Sequence, residues 1–178
     1  GKVTGQPVGR LLGGRYRDRV KPYASLLMSE PGPMTDQLLR YRAKGFRAFK
    51  IGWGPFGRES RIMDETIIRA ARDTVGAGSL LMVDAGGSDA FWPHGYKWAL
   101  RTAEMLDDYD VRWFEEPLKP DDVDSYALLR RHAPLPIAGG EVLTRRQSFL
   151  PWFKAGAFDV VQPDVTKVGG ISESRRIA

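Results

Sequence analysis

Cysteine is absent from the 178 residues. That excludes a disulfide framework, a thiolate metal site and a cysteine nucleophile, and it fits a reducing, cytoplasmic setting. No apolar run is long enough to cross a bilayer, and no signal peptide opens the chain, so no membrane role is expected. Zinc-finger, RRM-like and P-loop patterns are missing as well. The first residues, Gly1-Lys2-Val3, include no initiator Met and enter mid-pattern, which reads as a piece of a longer protein.

What is present describes an ordinary globular chain, 42% hydrophobic and 28% charged, large enough to bury one core. The formal net charge is +5. Its arginines, Arg40, Arg42, Arg69, Arg72, Arg130, Arg131, Arg175 and Arg176 among them, are scattered over helical and loop stretches. Spread in this way they form solvated faces and not a nucleic-acid groove.

Three short apolar runs each end in an acid: Leu80-Leu81-Met82-Val83-Asp84, Val111-Arg112-Trp113-Phe114-Glu115 and Pro136-Ile137-Ala138-Gly139-Gly140-Glu141. Short β-branched or apolar runs bounded by turn residues read as strands. Helix-period stretches lie between them, and strand–helix–strand at this spacing is the unit of a parallel sheet. The three acids then share the carboxyl edge of neighbouring strands, the active-site edge of a (β/α)8 barrel. Three converging carboxylates need a positive charge between them, and a hard, oxygen-liganded divalent cation, Mg2+ above all, suits them.

Three more strands are expected: Tyr23 to Met28, Phe46 to Ile51 with Lys50 facing in, and Phe158 to Gln162. Helices are expected from Met34 to Lys44 with Thr35 as N-cap, and from Asp64 to Val75 with Asp64 as N-cap. Others run from Tyr96 to about Leu106, from Asp121 to about His132, from Arg145 behind Thr144, and from Ile171 onward. The loop from Ala85 to Gly95 is too long for a mere connector. About six βα units result, short of the eight that close a barrel. An incomplete (β/α)8 barrel is favoured over an open doubly wound sheet, which would bind its ligand at one switch point and not around three successive strand ends. Residues 1–20 read as a short helix and connector, and residues 21–178 as the partial barrel. Strand alternation places Trp113 and Glu115 inward and Glu116 outward, as a partner for a neighbouring cation.

The ordered set Lys50, Asp84, Glu115-Glu116-Pro117, Gly140-Glu141 and Asp164 followed by Gly169-Gly170 resembles the enolase superfamily, most of all its mandelate racemase subgroup and the acid-sugar dehydratases within it. The resemblance implies that Asp84, Glu115 and Glu141 ligate Mg2+, and that residues 1–20 are the tail of an N-terminal capping domain. It also implies that Asp164, in place of the Lys of the muconate lactonizing relatives, hydrogen-bonds a catalytic His on the next strand. Neither His94 nor His132 can be that His, because both precede Asp164. The subgroup usually carries Lys-x-Lys where this chain has Lys50-Ile51-Gly52, and often Asp-x-Asn where it has Asp84-Ala85-Gly86. Lys50 is then either a proton abstractor or an electrostatic anchor for the substrate carboxylate, and His94 in the third loop is a candidate substrate contact.

Removing a proton α to a carboxylate builds up negative charge that a bound Mg2+ offsets; this pairing of a Lys or His base with Mg2+ is a known pattern of the superfamily. The expected reaction is dehydration of an acid sugar to a 2-keto-3-deoxy acid. A 2-hydroxy-acid racemase or epimerase and a non-catalytic paralogue are the alternatives. Aromatic residues in the Trp53 to Phe56 and Phe91 to Trp98 loops suggest a homo-oligomer.

Overall fold

Six parallel strands pair in strict sequence order, which is the arrangement that puts successive strand ends side by side. The computed structural model describes residues 1–178. The strands are β1 (Ala24–Leu27), β2 (Ala48–Gly52), β3 (Leu80–Asp84), β4 (Val111–Glu115), β5 (Ile137–Gly139) and β6 (Val160–Val161). The helices are α1 (Val8–Leu11), α2 (Pro31–Ala43), α3 (Arg61–Val75), α4 (Tyr96–Asp108), α5 (Val123–His132), α6 (Arg145–Ala155) and α7 (Ile171–Ile177). The sheet order is β1-β2-β3-β4-β5-β6, every pair parallel. A doubly wound sheet reverses its strand order at a switch point. No reversal occurs here, so the sheet is six staves of an incomplete (β/α)8 barrel.

Strand alternation divides the strand residues into an outward apolar row that packs on the helices and an inward row that is charged at its carboxyl end. Phe49 and Ile51 of β2, Leu81 and Val83 of β3, Phe114 of β4 and Ile137 of β5 pack with the helices in one cluster. Val161 packs against a smaller cluster of Phe149, Val168 and Ile177. The intervening residues, Lys50 and Gly52, Met82 and Asp84, Trp113 and Glu115, Ala138 and Val160, therefore face the barrel interior. The helices supply the matching stripe: Ile67, Ile68, Ala71 and Val75 of α3 are all buried at helical spacing.

Several element ends differ from the sequence expectation, each for a local reason. Helix α2 starts earlier, at Pro31, because proline is preformed for the first helical position; Glu30, not Thr35, is the N-cap residue. Helix α3 starts at Arg61, where the Ser60 hydroxyl accepts from the Met63 N–H at 3.2 Å. Asp64 lies inside that helix, and its carboxylate accepts instead from the Gly57 N–H at 2.8 Å. Helix α5 is capped by Asp122, whose carboxylate accepts from the Ser125 N–H. Thr144 occupies the N-cap position of α6 without a side-chain capping bond. Strand β5 ends at Gly139, so Glu141 belongs to the following turn, and β6 shrinks to two residues.

At the opposite, amino-terminal edge of the sheet one arginine ties the α3–β3 connection to the α4–β4 connection. The half-buried Arg72 guanidinium donates to the carbonyls of Gly76 at 3.1 Å, Ser79 at 2.9 Å, Tyr109 at 2.8 Å and Asp110 at 2.8 Å. These carbonyls belong to the end of α3 and to the entries of β3 and β4. Replacing Arg72 by Leu leaves carbonyls of a half-buried corner without donors. We expect a loss of about 2–4 kcal/mol in equilibrium urea unfolding; a loss under about 0.5 kcal/mol would show that water replaces the guanidinium freely.

Candidate active site

The inward row carries its charge at the carboxyl end. Asp84 and Glu115 are directly paired across β3 and β4, and both are buried, at 5% and 1% exposure. Lys50 is one inward position below Gly52, which pairs with Asp84. Its ammonium stands between the two acids, 3.3 Å from Asp84 Oδ2 and 2.5 Å from Glu115 Oε1. Each carboxylate has a second anchor. The Gly86 N–H donates to Asp84 Oδ1 at 2.9 Å, and the Trp113 indole N–H donates to Glu115 Oε2 at 3.0 Å.

The electrostatics follow from one cation serving two anions. Burial alone would lower the Lys50 pKa, but Asp84 and Glu115 outweigh it and hold the ammonium well above its ordinary value. Burial and the nearby Glu115 push Asp84 up to about 6, against the pull of Lys50 and the Gly86 N–H. One negative charge is left over in a dry place.

The other candidate residues stand further out. Glu141 follows β5 at the same edge and pairs with Lys167 at 3.7 Å, which also lies 3.7 Å from Asp164. Asp164 accepts from the Thr166 hydroxyl at 2.7 Å and N–H at 2.9 Å, and these bonds hold its pKa below the usual carboxylate range. In this chain it therefore caps a turn. His94 stacks on Trp98 with ring centres 4.2 Å apart, and its Nε2 donates to the Gly57 carbonyl. It belongs to an aromatic cluster with Trp92 that joins the loops after β2 and β3.

Glu116 is more deeply placed than its outward parity suggests. It is 3% exposed, takes a positive φ of 43°, and accepts from the Ser88 hydroxyl at 2.6 Å. Burial pushes its pKa up to about 7, the Ser88 bond opposing and Glu141, Asp84 and Glu115 adding to the rise. With the Gly87 N–H donating to the Glu116 carbonyl at 2.8 Å and the Trp92 indole to that of Pro117 at 3.1 Å, the long third loop is fastened onto the end of β4. A Ser so far away in sequence gives no signal of this tie.

The residues suit a hard cation by the chemistry of their donors. Asp84 and Glu115 are oriented carboxylates with an ammonium already standing between them, and Glu141 lies at the same edge. The three are not gathered into one ligand set, since no group of three or more acidic or His side chains is so arranged. Residues 33–178 match the family described as "Enolase C-terminal domain-like".

The chain belongs to the enolase superfamily.

Within its mandelate racemase/muconate lactonizing-like subgroup, D-galactarolactone cycloisomerase of Agrobacterium fabrum is 37% identical over all of this chain and 46% of its own length. D-Galactonate dehydratase of Xanthomonas oryzae pv. oryzae is 31% identical over all of this chain and 47% of its own. The crystal structure of an enolase from Bradyrhizobium complexed with magnesium and mandelic acid superposes with a TM-score of 0.86 at 31% identity, covering 99% of this chain and 46% of that one. The chain thus spans about half the length of the relatives it matches.

Two departures from the superfamily pattern have a packing reason. A Cβ built on Gly52 falls 2.6 Å from Asp84 Cβ and 2.8 Å from its carbonyl oxygen. A Cβ on Gly86, whose φ is +70°, falls 2.7 Å from the Trp53 ring. In both places a neighbour already fills the space of the missing side chain. We expect Gly52→Ala to cost about 1–3 kcal/mol in chemical denaturation, because β2 and β3 must part to admit the methyl. A change within about 0.5 kcal/mol would mean that the Asp84 backbone yields easily.

Proposed function

We propose that the protein built on this chain abstracts the proton α to the carboxylate of an acid sugar and expels the β-oxygen. Its product is then a 2-keto-3-deoxy acid. The observation that carries the reading is the Lys50 ammonium held between two buried carboxylates at adjacent strand ends. Asp84, Glu115 and Glu141 would hold Mg2+, which supplies positive charge opposite the carboxylate as its α-carbon loses the proton. Lys50, fixed by two acids, is assigned as an electrostatic anchor for the substrate carboxylate. Asp164 is assigned to orient a His of the longer protein, and His94 to support the wall of the third loop. Residues 1–20 are read as the tail of a capping domain, and residues 21–178 as the barrel.

Gly52 speaks against racemisation. That reaction needs a proton donor on each face of the α-carbon, and the Asp84 backbone occupies the space a side chain at 52 would take. Loss of a β-hydroxyl is dehydration; loss of a lactone ring oxygen from the same carbon is ring opening. The two share their first step, and the 37% identity to a cycloisomerase favours the second as an alternative. No helix is long and apolar enough to cross a membrane, and a small soluble acid is the partner we assign. The loop aromatics lend no support to a homo-oligomer. Phe56 and Trp92 are buried, and Phe91 is the large apolar side chain of those loops that stands clear, 89% exposed.

A panel of aldonic and aldaric acids and their lactones, incubated with the full-length protein and Mg2+ in deuterated water, tests the reading. Keto-acid formation from at least one member is expected. Exchange of the α-proton with inversion, and no keto acid from any, would overturn it.

A further inference from the structure

An irregularity in β4 turns Trp113 toward the acids. Leu81 of β3 pairs with Val111 and Val83 with Phe114, so β4 sets one more residue than β3 into the same stretch. A bulge of this kind re-aims side chains. Val111 and Phe114, three residues apart, both pack in the outer apolar cluster, which regular alternation forbids. The slip therefore falls at Arg112 and Trp113. Beyond it Trp113 and Glu115 share the inward side, and the indole N–H donates to Glu115 Oε2 at 3.0 Å.

The indole ring is itself held. Tyr23, just before β1, meets it edge-on with ring centres 6.0 Å apart. Strands β2 and β3 lie between β1 and β4, so this contact crosses the interior of the curled sheet. The Lys50 ammonium stands over the same Tyr23 ring, 6.0 Å from its centre. Trp113 is partly exposed, so water could have satisfied its N–H; burial does not force the bond to Glu115. Glu115 is 1% exposed, and each of its oxygens has one donor: Lys50 at Oε1 and Trp113 at Oε2. A lysine stem is flexible and an indole is rigid, so Trp113 is the stiffer of the two holders.

We propose that Trp113 is a positioning residue, delivered by the β4 bulge, whose indole N–H fixes the Glu115 carboxylate for the cation. The proposal rests on the reading of Asp84, Glu115 and Glu141 as a Mg2+ site and deepens it. Groups that orient a ligand without touching the ion typically contribute about 10–100-fold to metal affinity.

Trp113→Phe tests it, because phenylalanine keeps an aromatic ring beside Tyr23 and has no N–H. In calorimetric titration of the full-length protein with Mg2+, this variant should bind about tenfold more weakly. The Trp113 indole resonance in 15N–1H spectra, identified by its loss in Trp113→Phe, should shift as Mg2+ is added to the unaltered protein. Affinity within twofold of the unaltered protein, or an indole resonance indifferent to Mg2+, overturns the proposal. Urea unfolding of Trp113→Phe, Glu115→Leu and the double variant reads the bond without a cation. In the Glu115→Leu background the indole has lost its acceptor, and Trp113→Phe should move the midpoint less than half as far as it does in the unaltered protein. Equal shifts in the two backgrounds overturn the proposal. If the unaltered protein takes up no Mg2+, the cation reading fails, while unequal unfolding shifts still support Trp113 as the holder of Glu115.

Discussion

Everything at the carboxyl edge of this sheet depends on one ammonium shared by two buried carboxylates. Asp84 and Glu115 are brought side by side by strand register, not by mutual attraction, and at this separation they repel. Removing one partner of such a buried group typically costs several kcal/mol, because an uncompensated charge is left in a dry place. Lys50 supplies the compensation from the neighbouring strand. With one positive charge for two negative ones, the site keeps a negative balance, and burial first, then the nearby Glu115, raises the Asp84 pKa. A parallel sheet in sequence order is what makes this possible, since each strand adds one inward residue to the same rim.

Much of this was legible in the sequence because it rests on periodicity. The apolar runs ending in Asp84 and Glu115 are strands with the expected carboxyl ends, and alternation placed Trp113 on the face of Glu115, where its indole indeed donates to that carboxylate. Strict strand order follows from the evenly repeated βα units. The resemblance to the superfamily, carried by the order of acids and glycines, agrees with the match over residues 33–178. Helix starts were less legible, because Ser60 and Pro31 compete with Thr35 and Asp64 as start signals and local sequence does not rank them.

What the sequence could not show are the contacts between distant loops. Ser88 meeting Glu116, and Trp53 lying on Gly86, depend on where two loops cross above the sheet. The same holds for the glycines. Read alone, Gly52 is a missing lysine and Gly86 a missing asparagine. In the structure each is a position where a neighbouring strand or ring comes too close for a Cβ. Glu141 is a further case: the run that ends in it is a strand only as far as Gly139, and the extra turn lets its carboxylate reach Lys167.

We propose that Asp84, Glu115 and Glu141 act as one cation site despite standing in two ion-pair groups, one around Lys50 and one around Lys167. Titration of the full-length protein with Mn2+ as a spin probe, followed by electron paramagnetic resonance, tests it directly. The account predicts one tightly bound ion per chain, and at least a tenfold loss of affinity in each of Asp84→Asn, Glu115→Gln and Glu141→Gln. Unchanged affinity in Glu141→Gln, or two independent ions of similar affinity, would contradict it.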